Sequence, residues 1–291
     1  MLDYRLLAAL AAVVQEGGFE RAAQILFITQ SAISQRIKQL EAQLGQPVLI
    51  RSTPPSATTL GQKLHNHWQQ VQQMEASLNL LEETVRLTIR IALNADSLAT
   101  WLPAALVGES LQNISYDLIV EDQGVALKRM RQGEVMACVC SDPKPLNGGK
   151  VVRLGGMRYR PFASPEFMRR YQINQLSNKQ LADIPCLIFN RDDALQHQFT
   201  QYMAGTEPSH IHLCPSSEGF VQCALAGVGY GLLPELQIRQ HMDSGQLTAL
   251  VPNYYVDVPL YWHYWRTESP IMASLRQRVC IVAAEYLEQD P

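Results

Sequence analysis

Three short amphipathic runs open the chain. Leu6, Leu10, Val13 and Val14 recur at helical spacing behind Asp3, a good N-cap, and Gly17-Gly18 stops the run near Glu16. A second helix, roughly Glu20–Leu26, carries Ala22 and Ala23, small enough for close helix packing. After a tight turn at Phe27-Ile28, Thr29 is the N-cap of a third helix and Gly45 its C-terminal stop. There Ile33, Ile37, Leu40 and Leu44 share one face and must meet a small core. The opposite face presents Ser31, Ser34, Gln35 and Lys38, with Gln30 at the exposed N-terminal end. A short helix, a tight turn and a helix of this kind form a helix-turn-helix. The strand "PVLIRS", the turn "TPPS" and a return strand would add a wing, with Arg51 at its start.

Next comes a long helix from Thr59, where Thr59 and Gln62 have capping-box spacing. Its apolar positions are Leu60, Leu64, Val71, Met74, Leu78, Leu81 and Val85, and from Val71 onward they step as a heptad seam. A seam on a linker helix predicts a homodimer; the plainer alternative is a helix packed only on its own domain. From Leu87 the pattern alternates: "LTIRIAL" strand, "SLATWLPAAL" helix, "YDLIV" strand, "VALKRMRQG" helix, "VMACVC" strand. This continues to the end and predicts an α/β architecture with mainly parallel strands, long enough for two small lobes. The expected domains are 1–58 for the winged head and 59–86 for the linker. Residues 87–291 follow as a two-lobed domain, lobe I approximately 87–161 and 262–291 and lobe II approximately 162–261.

Charge sharpens this division. The whole chain has a net charge of −3, yet residues 1–63 hold six bases (Arg5, Arg21, Arg36, Lys38, Arg51, Lys63) against four acids (Asp3, Glu16, Glu20, Glu41). A slightly basic head on an acidic body suits a head that meets nucleic acid. On the third helix, Gln30, Ser31, Ser34 and Gln35 are the candidates for base edges or the groove, and Arg36, Lys38 and Arg51 for phosphate. No apolar run approaches the ~20 residues of a membrane span. The N-terminus lacks the small residues of a cleavage site, so a cytoplasmic location is expected. The six cysteines make no C-x-x-C and read as reduced core residues, Cys138 and Cys140 facing the same side of one strand.

The stretch "GGFERAAQILFITQSAISQRIKQLEAQLGQPVLIRS" resembles the DNA-binding head of LysR-type transcriptional regulators. The resemblance covers essentially the whole chain. It implies a winged helix-turn-helix, a dimerising linker helix and a two-lobed effector domain like a periplasmic binding protein. "LNADSLATWLPAAL", "RPFASPEF", "FNRDDALQ" and "PSSEGFVQCALAGVGYGLLPE" resemble the branch that controls export of arginine and lysine. That narrower likeness implies a basic amino acid as effector and an exporter gene as target. The implied partners are a dyad-symmetric DNA site, lysine or arginine, and a second copy of the chain or a tetramer; RNA polymerase is a further candidate.

Effector pockets of two-lobed binders lie between the lobes, at strand C-termini and helix N-termini. Asn94, Asp96 and Ser97 fall at such a junction, Ser216, Ser217 and Glu218 at a second. Glu121 and Asp122 follow a strand, and Asp192 and Asp193 stand in "FNRDDALQ". A ligand with two cationic ends needs carboxylates, and these supply them. The competing reading is that Asp and Ser before helices are simply N-caps. "GVGYG" lacks the lysine of a phosphate loop and reads as a helix end. His65 and His67 point to different helix faces and read as solvated or seam positions. "LYWHYW" reads as a packed aromatic strand. No G-x-S-x-G occurs, so no enzyme, cofactor or metal is expected. The rivals are a regulator of the same fold with another effector, and a solute-binding protein with an interaction head.

Overall fold

The computed structural model describes residues 2–76, 87–108, 111, 114–121, 123–173, 178–191 and 193–289. The head contains α1 (Tyr4–Glu16), α2 (Phe19–Ile25) and α3 (Gln30–Leu44), followed by the wing strands β1 (Leu49–Ile50) and β2 (Ser56–Ala57). Asp3 caps α1 by accepting from Arg5 N. Thr29 caps α3 by accepting from Ala32 N, and Gly45 ends it in the left-handed region. Ile33, Ile37 and Leu40 are buried among Leu6, Leu10 and Ala22, with Leu44 partly buried at the margin. Glu41 accepts from Val48 N at 3.0 Å, tying α3 to the wing.

The linker helix α4 (Thr59–Ala76) departs from expectation at its start. Thr58, not Thr59, is the cap: its Oγ1 accepts from Gly61 N at 3.1 Å. Gln62 bonds Asn66 rather than closing a capping box. Gly61 is required by a close approach, because a Cβ there would stand 1.9 Å from the Val48 carbonyl oxygen. Leu60, Leu64 and Trp68 pack on the head, so these positions anchor α4 to its own domain. Val71, the first expected seam position, is buried within the single chain, and the seam positions Leu78, Leu81 and Val85 lie outside the described residues.

Beyond the linker come β3 (Leu87–Leu93), the short helices α5 (Ala95–Ala99) and α6 (Leu102–Ala105), β4 (Ile114–Val120), α7 (Gln123–Gln132) and β5 (Ala137–Cys140). The single helix expected at "SLATWLPAAL" is broken at Thr100-Trp101, because Pro103 has no N–H to continue it. The chain then runs through β6 (Gly149–Ala163), α8 (Pro165–Arg170), β7 (Cys186–Ile188), α9 (Ala194–Ala204), β8 (Ile211–Leu213) and α10 (Ser217–Leu225). It closes with β9 (Gly231–Pro234), α11 (Glu235–Asp243), β10 (Thr248–Ala249), β11 (Val256–Trp265) and α12 (Pro270–Tyr286).

The sheet is mixed, which corrects the expectation of mainly parallel strands. Parallel pairing joins β3 to β4, β3 to β5 and β7 to β8. Every pairing of β6 and of β11 is antiparallel. The reversed strand is β11: it lies between β5 and β6 and runs antiparallel to both, so β5 and β6 share a direction. The two long strands join the lobes: β6 pairs with β9 and β10 at one end, β11 with β5 at the other. The expected lobe boundaries fall inside β6 and β11, so each lies along a continuous strand rather than in a loop. The C-terminal segment returns to this joint. Glu288 and Gly156 exchange backbone hydrogen bonds of 2.7 and 2.9 Å, while Gly155, at φ +136°, leaves no room for a Cβ beneath Leu287 and Gln289.

Candidate DNA interface and effector cleft

The third helix turns its polar face outward as its spacing requires. Gln30, Ser31, Gln35 and Lys38 are exposed, Ser34 and Arg36 half-buried, and Arg51 is exposed on the wing. Ser31 is 2.9 Å from the cap hydroxyl of Thr29. Arg36 lies close enough to Asp3 to help hold that carboxyl below its ordinary pKa, after the larger effect of Arg5. Phe27, in the turn before α3, is 95 % exposed at φ +51°. The α2-to-α3 turn demands that left-handed backbone, because Ile28 N must reach Ala23 O.

The second site is a cleft of ≈ 960 Å³ between α5 and α10, with walls from β4, β6, α9, β9, α11 and β11. Asp96 stands at its centre. On one oxygen it accepts from Ser217 Oγ at 2.6 Å, and on the other from Tyr159 OH at 2.6 Å. One carboxylate therefore joins α5, α10 and β6 across the cleft. Ser217 has one proton to give, and Gln237 Oε1 stands 3.0 Å from the same hydroxyl as an alternative acceptor. Burial raises the Asp96 pKa, against the two hydrogen bonds that favour its ionised form.

Asp193 is the second partly buried acid. It is the N-cap of α9 and accepts from the backbone N–H groups of Phe189, Leu195 and Gln196. Burial raises its pKa too, opposed by these bonds and by His197. Tyr159 feels both acids: burial and then the charge of Asp96 raise the phenol pKa, with a smaller push from Asp193.

Of the residues expected here, Asn94, Asp96, Glu121, Asp193 and Ser217 line one cleft. Glu121 is already held by the Arg129 guanidinium. Ser97 is a correction: it is fully buried and accepts from Trp101 Nε1 at 3.1 Å, because one helical step turns it from the cleft to the core. Ser216 is also a correction: it does not line the cleft, and its hydroxyl caps α10 by accepting from Gly219 N at 3.1 Å. Glu218 is exposed and accepts from Gln237 Nε2 instead of facing the cleft. Asp122 and Asp192 lie outside the described residues. The sequence reading missed Tyr159, Gln237 and Asp257. Strand alternation places Tyr159 on a face of β6 but cannot say that this face meets a helix from each lobe.

His65 was expected to be solvated or on the seam; it is fully buried. Burial, reinforced by the Arg90 charge, pushes its pKa down to about 4. "GVGYG" ends α10 and opens β9, as read. Cys138 and Cys140 are both buried in one cluster between β5 and α7. No cluster of three or more His, Cys, Asp or Glu suited to a metal occurs among the described residues. No described helix is long and apolar enough to cross a membrane.

Residues 4–62 match the model of the bacterial regulatory helix-turn-helix protein, lysR family, and residues 82–283 that of the LysR substrate binding domain. A HTH-type transcriptional regulator ArgP of Pseudomonas fluorescens is 50% identical over 294 residues, which is 99% of each chain. ArgP from Mycobacterium tuberculosis superposes with a TM-score of 0.84 at 36% identity over 100% of both chains. The full-length LysR-type regulator LysG from Corynebacterium glutamicum, solved with bound effector arginine, gives 0.73 at 31% identity, covering 99% of this chain and 100% of that one.

Proposed function

The chain belongs to the LysR family of DNA-binding transcriptional regulators, and on that premise we propose that it answers to arginine or lysine and controls an amino-acid exporter gene. The observation that carries the effector assignment is the pair of partly buried carboxylates, Asp96 and Asp193, flanking Tyr159 in one cleft. Neither has a Lys or Arg partner among the described residues, and a ligand cation would supply the missing charge. The arginine-bound LysG relative supports the same ligand class.

In this reading the protein acts in the cytoplasm as a homodimer, or a pair of dimers, that places two heads on a dyad-symmetric site. Gln30, Ser31, Ser34 and Gln35 meet the groove, and Arg36, Lys38 and Arg51 meet phosphate. Asp96 is the coupling point: it already bonds Ser217 on the facing helix, so a cation on this carboxylate changes how strongly the two lobes are held together. Effector binding thereby shifts the population between two DNA-bound arrangements.

The test is footprinting of the purified full-length protein on the promoter next to its own gene, with and without millimolar arginine or lysine. Either amino acid should change the footprint or the affinity, and binding should weaken steeply with salt. Gln35→Ala should relax sequence choice, whereas Lys38→Ala should weaken all sequences about equally. A footprint indifferent to both amino acids would remove the effector assignment.

A further inference from the structure

An amino acid brings a carboxylate into the cleft together with its cations. Among the described residues, the side chains lining the cleft include four acids, Asp96, Glu121, Asp193 and Asp257, and no Lys, Arg or His. Two of the acids are neutralised by guanidinium groups on neighbouring elements. Arg129 holds Glu121, and Arg158 grips Asp257 through two contacts of 2.8 Å. Asp96 has hydroxyl partners only, and Asp193 has backbone N–H partners with His197 as the one positive group acting on it. Asn94 adds a further demand for donors: its Oδ1 is buried with no hydrogen-bond partner. The unmet needs of the cleft are therefore for N–H donors and positive charge.

A primary ammonium carries three donors and one charge, and a guanidinium carries five donors in a plane. A ligand with such a group at each end offers one charge to each of Asp96 and Asp193 and a donor to Asn94, which line the same cleft. Its methylene stem is matched by the apolar walls of Val120, Val125, Phe189 and Phe220. The α-carboxylate of an amino acid finds no side-chain cation among the described residues lining the cleft, and burying it on neutral groups forfeits part of its hydration. We propose that the cleft also binds α,ω-diamines and their guanidino analogues, the decarboxylated counterparts of the basic amino acids, at the site that takes arginine or lysine. The proposal rests on the reading of this cleft as the effector site.

Isothermal titration of the full-length protein with cadaverine, agmatine, lysine, arginine and pentylamine tests it. Cadaverine and agmatine should displace the basic amino acids and bind within about tenfold of them or more tightly, while pentylamine, with one charge, should bind at least about tenfold more weakly than cadaverine. Asp193→Asn, which keeps an acceptor for Leu195 N and Gln196 N but loses the bond from Phe189 N, should weaken cadaverine by about tenfold or more. If lysine or arginine binds and neither diamine competes at about a hundredfold higher concentration, the inference is overturned and the amino-acid reading stands. If diamines bind and amino acids do not, the inference stands and the amino-acid reading falls. Binding of none of them overturns both.

Discussion

Asp96 and Ser97 are neighbours with opposite fates. Asp96 faces the cleft and Ser97 the indole of Trp101. Ser97→Ala should therefore cost roughly 1 kcal/mol of stability through the lost hydrogen bond and leave effector affinity within about twofold. Asp96→Asn should cut that affinity by about tenfold or more, and a thermal melt paired with a titration separates the two. The strand-to-helix junction was legible in the sequence; which of two adjacent side chains turns inward was not, because α5 is too short to carry a readable period. His65 gives a second residue-scale outcome. Its folded pKa is about 4, below the ordinary value of 6.5, so the buried neutral form is favoured. The stabilisation is fully present above pH ~6.5 and is lost as pH falls toward 4, by roughly 3 kcal/mol at most. Urea unfolding at pH 7 and pH 5 should show this loss in the natural chain and a smaller one in His65→Gln.

At the scale of elements, the helix starts and stops of the head were read to within about one residue. Asp3, Thr29 and Gly45 stand where their chemistry puts them. The linker helix was the exception, because "ATT" offers two adjacent threonines and only the wing decides between them. Thr58→Ala should destabilise the head by about 1 kcal/mol, while Thr59→Ala should stay within about 0.5 kcal/mol. Differential melting of the two variants checks the assignment. Strand direction was not legible either. Alternating polarity records which face is buried, and it is the same in a parallel and an antiparallel neighbour.

For the whole molecule, the heptad steps predict a dimer, and the packing of α4 on the head narrows where a seam could run. Leu60, Leu64 and Trp68 are committed to the head and Val71 is buried within the chain, while Met74 is 46% exposed. Sedimentation of the full chain should give twice 32.7 kDa, and Met74→Asp should weaken the dimer by about tenfold or more. The division into a mildly basic head and an acidic body was legible from residue counts. The convergence on Asp96 was not, since Tyr159 and Ser217 lie 63 and 121 residues away along the chain.

The backbone exchange between Glu288 and Gly156 bears on how the molecule can be handled. The tail works as a splint laid across the joint of the two lobes. A purification tag or fluorescent protein fused after the last helix therefore pulls on the joint itself. Such a fusion should strain these bonds, whereas a label on the exposed Tyr202 side of α9 leaves the splint in place.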